Sequence, residues 1–83
     1  MQLLFKDEAI KQIKKINSSD KKKVKRRIAN LASNPLIGKP LKGKLSGLYS
    51  LKAWPLRIIY RFNAQKQVIV IETVEYRGSV YKN

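Results

Sequence analysis

The sequence predicts one α+β domain over residues 1–83: an N-terminal strand, then an antiparallel helical hairpin packed on one face of a small, mainly antiparallel sheet, in the order β-α-α-β-β-β. Three observations predict it. Apolar residues recur at spacings of three and four through residues 7–33, strand-like alternation takes over from residue 48, and Gly and Pro cluster between the two regions. A chain of 83 residues has room for one small core, so a two-domain arrangement is excluded.

Leu3, Leu4 and Phe5 form a short apolar strand that ends at Asp7, a residue suited to cap the helix that follows. In that helix Ala9, Ile10, Ile13 and Ile16 make an apolar stripe, with Lys11, Lys14 and Lys15 on the solvated side. Asn17, Ser18, Ser19 and Asp20 interrupt the pattern and supply caps for a second helix over residues 20–33. Its Val24, Ile28 and Leu31 face inward, and Ala29 and Ala32 are expected to let the first helix approach closely. Asn34, Pro35, Gly38 and Pro40 end it and open a basic loop, expected to be pinned to the body by Leu36, Ile37, Leu41 and Leu45. Strands are predicted at 48–53, 56–62 and 67–74. Their connections, Trp54-Pro55 and residues 63–66, are of hairpin length, so the three should form an antiparallel meander. The stretch 67–74 is apolar on both faces and is expected at the centre of the sheet, with the helices on one face and the other face open.

Nineteen Lys and Arg against five Asp and Glu give a formal charge of +14, which favours a polyanionic partner. Thirteen of these cations lie in residues 1–47 and resemble a general electrostatic surface; the other six are spaced among aromatics. The densest run is Lys21, Lys22, Lys23, Lys25, Arg26 and Arg27, read as a largely solvated helix face that also offers phosphates a track. With no Cys and no His, a disulfide framework is excluded and the commonest zinc ligands and general bases are absent, so no metal or cofactor is expected. Any chemistry must use Lys, Arg, Tyr, Ser or the few acids. No signal peptide or membrane span is evident, and a cytoplasmic location is the expectation.

Cations, aromatics and strand periodicity coincide in residues 41–60. Alternation sets Ser50 and Lys52 opposite Tyr49, Leu51 and Ala53 on the first strand, and Arg57, Ile59 and Arg61 opposite Leu56, Ile58, Tyr60 and Phe62 on its partner. Lys52 and Arg57 should therefore share the open face. Tyr49 and Tyr60 read as sheet-packing aromatics, Trp54 as an exposed hairpin tip, and Glu72 and Glu75 as ion-pair partners for crowded cations.

The stretch LKGKLSGLYSLKAWPLRIIYRF, the strand VIVIETV and the closing R-x-x-V-Y from Arg77 to Tyr81 resemble the RelE branch of the RelE/ParE toxins of bacterial and archaeal toxin-antitoxin modules. The likeness covers nearly the whole chain. It implies a RelE-like microbial ribonuclease fold and a ribosome-dependent endoribonuclease that cuts messenger RNA in the decoding site and is held inactive by a cognate antitoxin. By position, Lys52 matches the catalytic lysine of the family's second strand and Arg57 the arginine of its third, while Arg77 matches the arginine after the last strand and Tyr81 the closing tyrosine. Ser50 lies where some members carry a further lysine, and Tyr76 where many have histidine. The resemblance also implies the ribosome and messenger as partners, with ribosomal RNA met by the basic helix. Only two residues follow Tyr81, so the additional C-terminal helix of some relatives is not expected.

The chemistry stands without the family. RNA carries its own nucleophile, the 2′-hydroxyl, so cleavage requires cations to stabilise the charge developing on phosphorus and groups to move protons. Arg57 suits a two-point grip on phosphate oxygens. Lysine is a poor base at its ordinary pKa of about 10.4, so Lys52 is either a base activated by cations such as Arg57 and Arg77 or a further phosphate clamp. Arg77 could serve the leaving 5′-oxygen, and Tyr81 could stack on a base or orient the 2′-hydroxyl. Two other functions compete: a ParE-like inhibitor of DNA gyrase, which has no need of a phosphate-directed cluster, and a non-enzymatic basic RNA-binding module, for which charge alone suffices.

Overall fold

In the computed structural model, which describes residues 1–76, the chain runs through β1 (Gln2–Phe5), α1 (Asp7–Lys15), α2 (Ser18–Ser33), β2 (Lys39–Pro40), β3 (Tyr49–Ala53), β4 (Leu56–Asn63) and β5 (Val68–Tyr76). The described strands form one sheet in the order β1-β5-β4-β3-β2. Strands β3, β4 and β5 make the expected antiparallel meander, and β1 joins β5 in parallel, from Gln2 beside Val68 to Phe5 beside Ile71. Because β1 covers one side of the meander and β2 the other, β4 rather than β5 occupies the middle. The two residues of β2 were not foreseen, since a strand so short carries no alternation to read.

Local chemistry accounts for the helix ends. Helix α1 starts after Lys6, which makes no side-chain cap; Asp7 and Glu8 instead stand in the first turn, where their charge opposes the helix dipole, as Lys14 and Lys15 do in the last. Asn17 caps α2, its Oδ1 accepting from the Asp20 backbone N–H at 2.8 Å, so the helix begins two residues earlier than the sequence suggested. Ala9 and Ile16 of the first helical segment and Val24, Ile28 and Leu31 of the second meet Leu51, Leu56, Ile58, Tyr60, Ile69, Ile71 and Val74 of the sheet in one core. Helix α1 lies over β5 and α2 over β3 and β4. Each helix thus buries its stripe on the sheet. Ala29 and Ala32, expected at a helix-helix contact, are exposed, and Ile10 stands off the stripe at 40% exposure.

The second face of the sheet is only partly open. The loop 41–48 contains a 3-10 turn at Gly43–Leu45, and Leu41, Leu45 and Leu48 border a small cleft with Ile59 and Thr73, which leaves Ile59 only 5% exposed. Gly43 and Gly47 adopt positive φ, 66° and 94°, and so let this loop turn tightly. Leu36 does not pin it; that side chain is 63% exposed, whereas Ile37 packs against the core. A bulge opposite Ile59 and Tyr60 makes Glu72 an extra residue on β5, where it accepts from Arg61 at 3.1 Å and pairs with Lys6 at 3.5 Å. Glu72 is thus the ion-pair partner it was read to be. No helix among the described residues is long and apolar enough to cross a membrane.

Candidate functional site

Strand register places the site. Lys52 of β3 lies directly across from Arg57 of β4, and Arg57 from Glu75 of β5, so one row carries two cations and a carboxylate on the face away from the helices. The next row holds Lys39, Ser50, Ile59 and Thr73. A cleft of about 500 Å³ opens over the β2 and β3 end of these rows, lined by Lys39, Pro40, Leu41, Lys42, Ser50, Lys52 and Arg57. Lys52 is exposed, whereas Arg57 is only 5% exposed and forms the floor.

Sequence reasoning found Lys52 and Arg57 through alternation but missed Lys39 and Lys42. Their place depends on a contact distant in the chain. The Tyr60 hydroxyl donates to the Pro35 carbonyl at 2.7 Å and accepts from the Gly38 N–H at 3.0 Å, which ties the segment before β2 to the centre of the sheet. Gly38 sits so close that a β-carbon there would come within 2.5 to 2.9 Å of the Tyr60 hydroxyl and ring. Tyr49 stacks on Tyr60 at 5.2 Å between ring centroids, so both tyrosines are structural, as expected. Held this way, β2 sets Lys39 beside Ser50. The signal available in the sequence was the spacing K-P-L-K just ahead of the first meander strand.

Arg77 and Tyr81, the other two predicted site residues, lie outside the described residues. The last described residue, Tyr76, is fastened to α2: its hydroxyl donates to Asp20 Oδ2 at 3.3 Å, and Asn17 Nδ2 donates to the same oxygen at 3.1 Å. Asp20 is buried, with 7% exposure. Desolvation of the hydroxyl, together with the Asp20 carboxylate, raises the Tyr76 pKa above its ordinary value.

Of the basic run on α2, Lys22, Lys23, Lys25 and Arg26 are exposed. Arg27 is half-buried and its Nε donates to the Lys52 carbonyl at 3.0 Å, so at least one cation assigned to the electrostatic track also serves the sheet edge.

Comparison with known proteins agrees with this architecture. The profile of a family described as the ParE toxin of a type II toxin-antitoxin system, parDE, matches residues 3–81. The chain belongs to the RelE/ParE superfamily of toxins. Toxin RelG of Mycobacterium tuberculosis is 33% identical over 54 residues, 64% of this chain and 62% of RelG, so the match spans less than two thirds of that relative. Among solved structures, the toxin-antitoxin complex RelBE2 from Mycobacterium tuberculosis contains a chain similar to this one with a TM-score of 0.84 at 27% identity, covering 92% of this chain and 96% of the other. The isolated E. coli RelE toxin is similar with a TM-score of 0.79 at 25% identity, covering 96% and 89%. This is a RelE-like toxin of the type II class, and the α+β fold read from the sequence is the fold of these toxins.

Proposed function

We propose that this toxin is an endoribonuclease of the RelE kind, cutting messenger RNA on the ribosome and held inactive by a cognate antitoxin. The observation that carries the reading is the cleft in which Lys39, Lys42, Lys52 and Arg57 converge on one side of the sheet. In this reading Arg57, whose Nε and one terminal nitrogen are buried in the cleft floor, stabilises the phosphorane as a fixed positive charge beneath it. Lys52, exposed at the rim, neutralises the same charge, and Lys39 supplies a further cation beside Ser50. The 2′-hydroxyl attacks phosphorus, the bond to the 5′-oxygen breaks, and the products carry a cyclic 2′,3′-phosphate and a 5′-hydroxyl. Arg77 serves the leaving oxygen and Tyr81 the base or the 2′-hydroxyl. The antitoxin, as in the RelBE2 complex, is a separate chain, and the cytoplasm, where messenger is translated, is the proposed location.

The test is 5′-end mapping of a messenger in a reconstituted translation reaction, with free messenger alongside. Cuts are expected on ribosome-engaged messenger only, and Arg57→Ala should lower the cleavage rate about 10²- to 10³-fold, the scale of one transition-state charge stabiliser. Lys52→Ala and Arg77→Ala should each do likewise. The family description names a ParE toxin, so the ParE-like inhibition of DNA gyrase weighed from the sequence is the second reading. Uncut messenger together with inhibited supercoiling would replace the first reading with that one.

A further inference from the structure

A second concavity, of about 320 Å³, lies between α2 and the β3-β4 turn, lined by Lys23, Arg26, Arg27, Lys52, Ala53 and Trp54. Trp54 is 63% exposed, although an indole of that size is ordinarily drawn into a core or an interface. Among the described residues that line the concavity around it are four cations and one alanine. Val24, Ile28 and Leu31 anchor α2 on the sheet, and Arg27 bonds the Lys52 carbonyl, so helix and turn are fixed relative to each other. Lys52 borders both this concavity and the larger cleft, so the two are neighbours at that residue.

We infer that this concavity is a nucleotide subsite for single-stranded RNA, in which Trp54 stacks on an unpaired base while Lys23 and Arg26 take the adjoining phosphates. Cations alone would attract any polyanion; an exposed aromatic plane set among them selects a strand whose bases are unstacked. A base-free polyanion makes no use of the indole, which is what separates a stacked nucleotide from charge attraction alone. Duplex is disfavoured because its bases are already stacked on one another. Because Lys52 lines both, a strand leaving the larger cleft past this residue reaches the stacked nucleotide next. The inference rests on reading that cleft as an RNA site, yet it concerns binding rather than cleavage.

Trp54 is the only tryptophan in the sequence, so its emission reports on the subsite directly. The experiment titrates the full chain with a fluorophore-tagged 2′-O-methyl RNA hexamer, which cannot be cut, following RNA anisotropy and tryptophan emission together, with inorganic polyphosphate as the base-free control. Emission should be quenched in step with RNA binding and change little with polyphosphate. Trp54→Leu should weaken RNA binding about tenfold, Trp54→Phe much less, with circular dichroism confirming the fold of both. Lys23→Ala and Arg26→Ala should each reduce the slope of log affinity against log salt by about 0.7. The subsite is overturned if RNA binds without quenching, if polyphosphate quenches equally, if a folded Trp54→Leu binds as tightly as wild type, or if the hexamer does not bind. Because the hexamer cannot be cleaved, absence of messenger cutting would remove the nuclease reading and leave this result standing, and loss of the subsite would leave cleavage in the larger cleft untouched.

Discussion

Gly38 and Tyr60 are one structural unit although 22 positions separate them, and the cleft depends on both. Gly38→Ala places a methyl group where the Tyr60 ring and hydroxyl already stand, and an overpacked contact of this kind costs about 1–3 kcal/mol. Urea denaturation should show that loss, and messenger cleavage should fall as well, because the displaced segment carries Lys39. Tyr60→Phe tests the same unit through its hydroxyl, leaving the Gly38 N–H and Pro35 carbonyl without their partner at about 1–3 kcal/mol for buried polar groups. The pH dependence has a definite sign. Burial raises the Tyr60 pKa, an effect opposed by the Gly38 N–H and reinforced by Tyr49. A group whose folded pKa is raised contributes stability that is complete below the unfolded value, near 10, and is lost as pH rises through the folded one. Between about pH 9 and pH 11, wild-type stability should therefore fall more steeply than that of Tyr60→Phe in matched urea titrations. Equal slopes would mean that the phenol ionises as readily folded as unfolded.

At the level of elements, each end of the meander leaves backbone that no strand covers, and a helix side chain meets it on both sides. Past the end of β1, the Val74 N–H donates to Gln12 Oε1 at 2.6 Å; past the end of β2, the Lys52 carbonyl accepts from Arg27. Uncovered edges invite pairing with other chains. Gln12→Ala and Arg27→Ala should each cost about 1 kcal/mol, the net value of a hydrogen bond, and should raise light scattering on storage more than a surface change such as Lys25→Ala. The same scale shows what could be read in advance. Periods of 3.6 and 2 within one segment revealed both helices, the meander and the shared face of Lys52 and Arg57. They could not reveal β2, which exists because Tyr60 holds Gly38, nor the burial of Arg57, which comes from the way distant segments close over that face. Lys39 and Lys42 therefore escaped notice, and Arg27 was grouped with its solvated neighbours because a charge run looks alike whichever of its members bonds the sheet edge. Asp20, read as a cap, also anchors the far end of β5 through Tyr76, a link that only the fold brings into view.

For the whole molecule the governing quantity is a formal charge of +14 on 83 residues. Like charges at this density repel one another within the folded chain and attract a polyanion outside it, and both effects run through the same screened field. Salt must therefore move stability and RNA binding in opposite directions. Raising sodium chloride from about 50 mM to about 500 mM shortens the screening length severalfold, so the urea midpoint of the free toxin should rise. Over the same range RNA affinity should fall linearly on a log-log plot, with a slope near −0.7 for each phosphate neutralised. If the proposed antitoxin is acidic, it acts on both at once: it replaces salt as the source of neutralisation and stabilises the fold by mass action, so the complex should show a higher midpoint with a weaker salt dependence than the free chain. If the free toxin instead lost stability as salt rose, its charges would have to be held in net favourable arrangements. The two ion pairs of Glu72 would then be outweighing the repulsion among nineteen cations. Glu72→Gln separates the alternatives, since it leaves the rising salt response intact if repulsion dominates and abolishes a falling one if those pairs do.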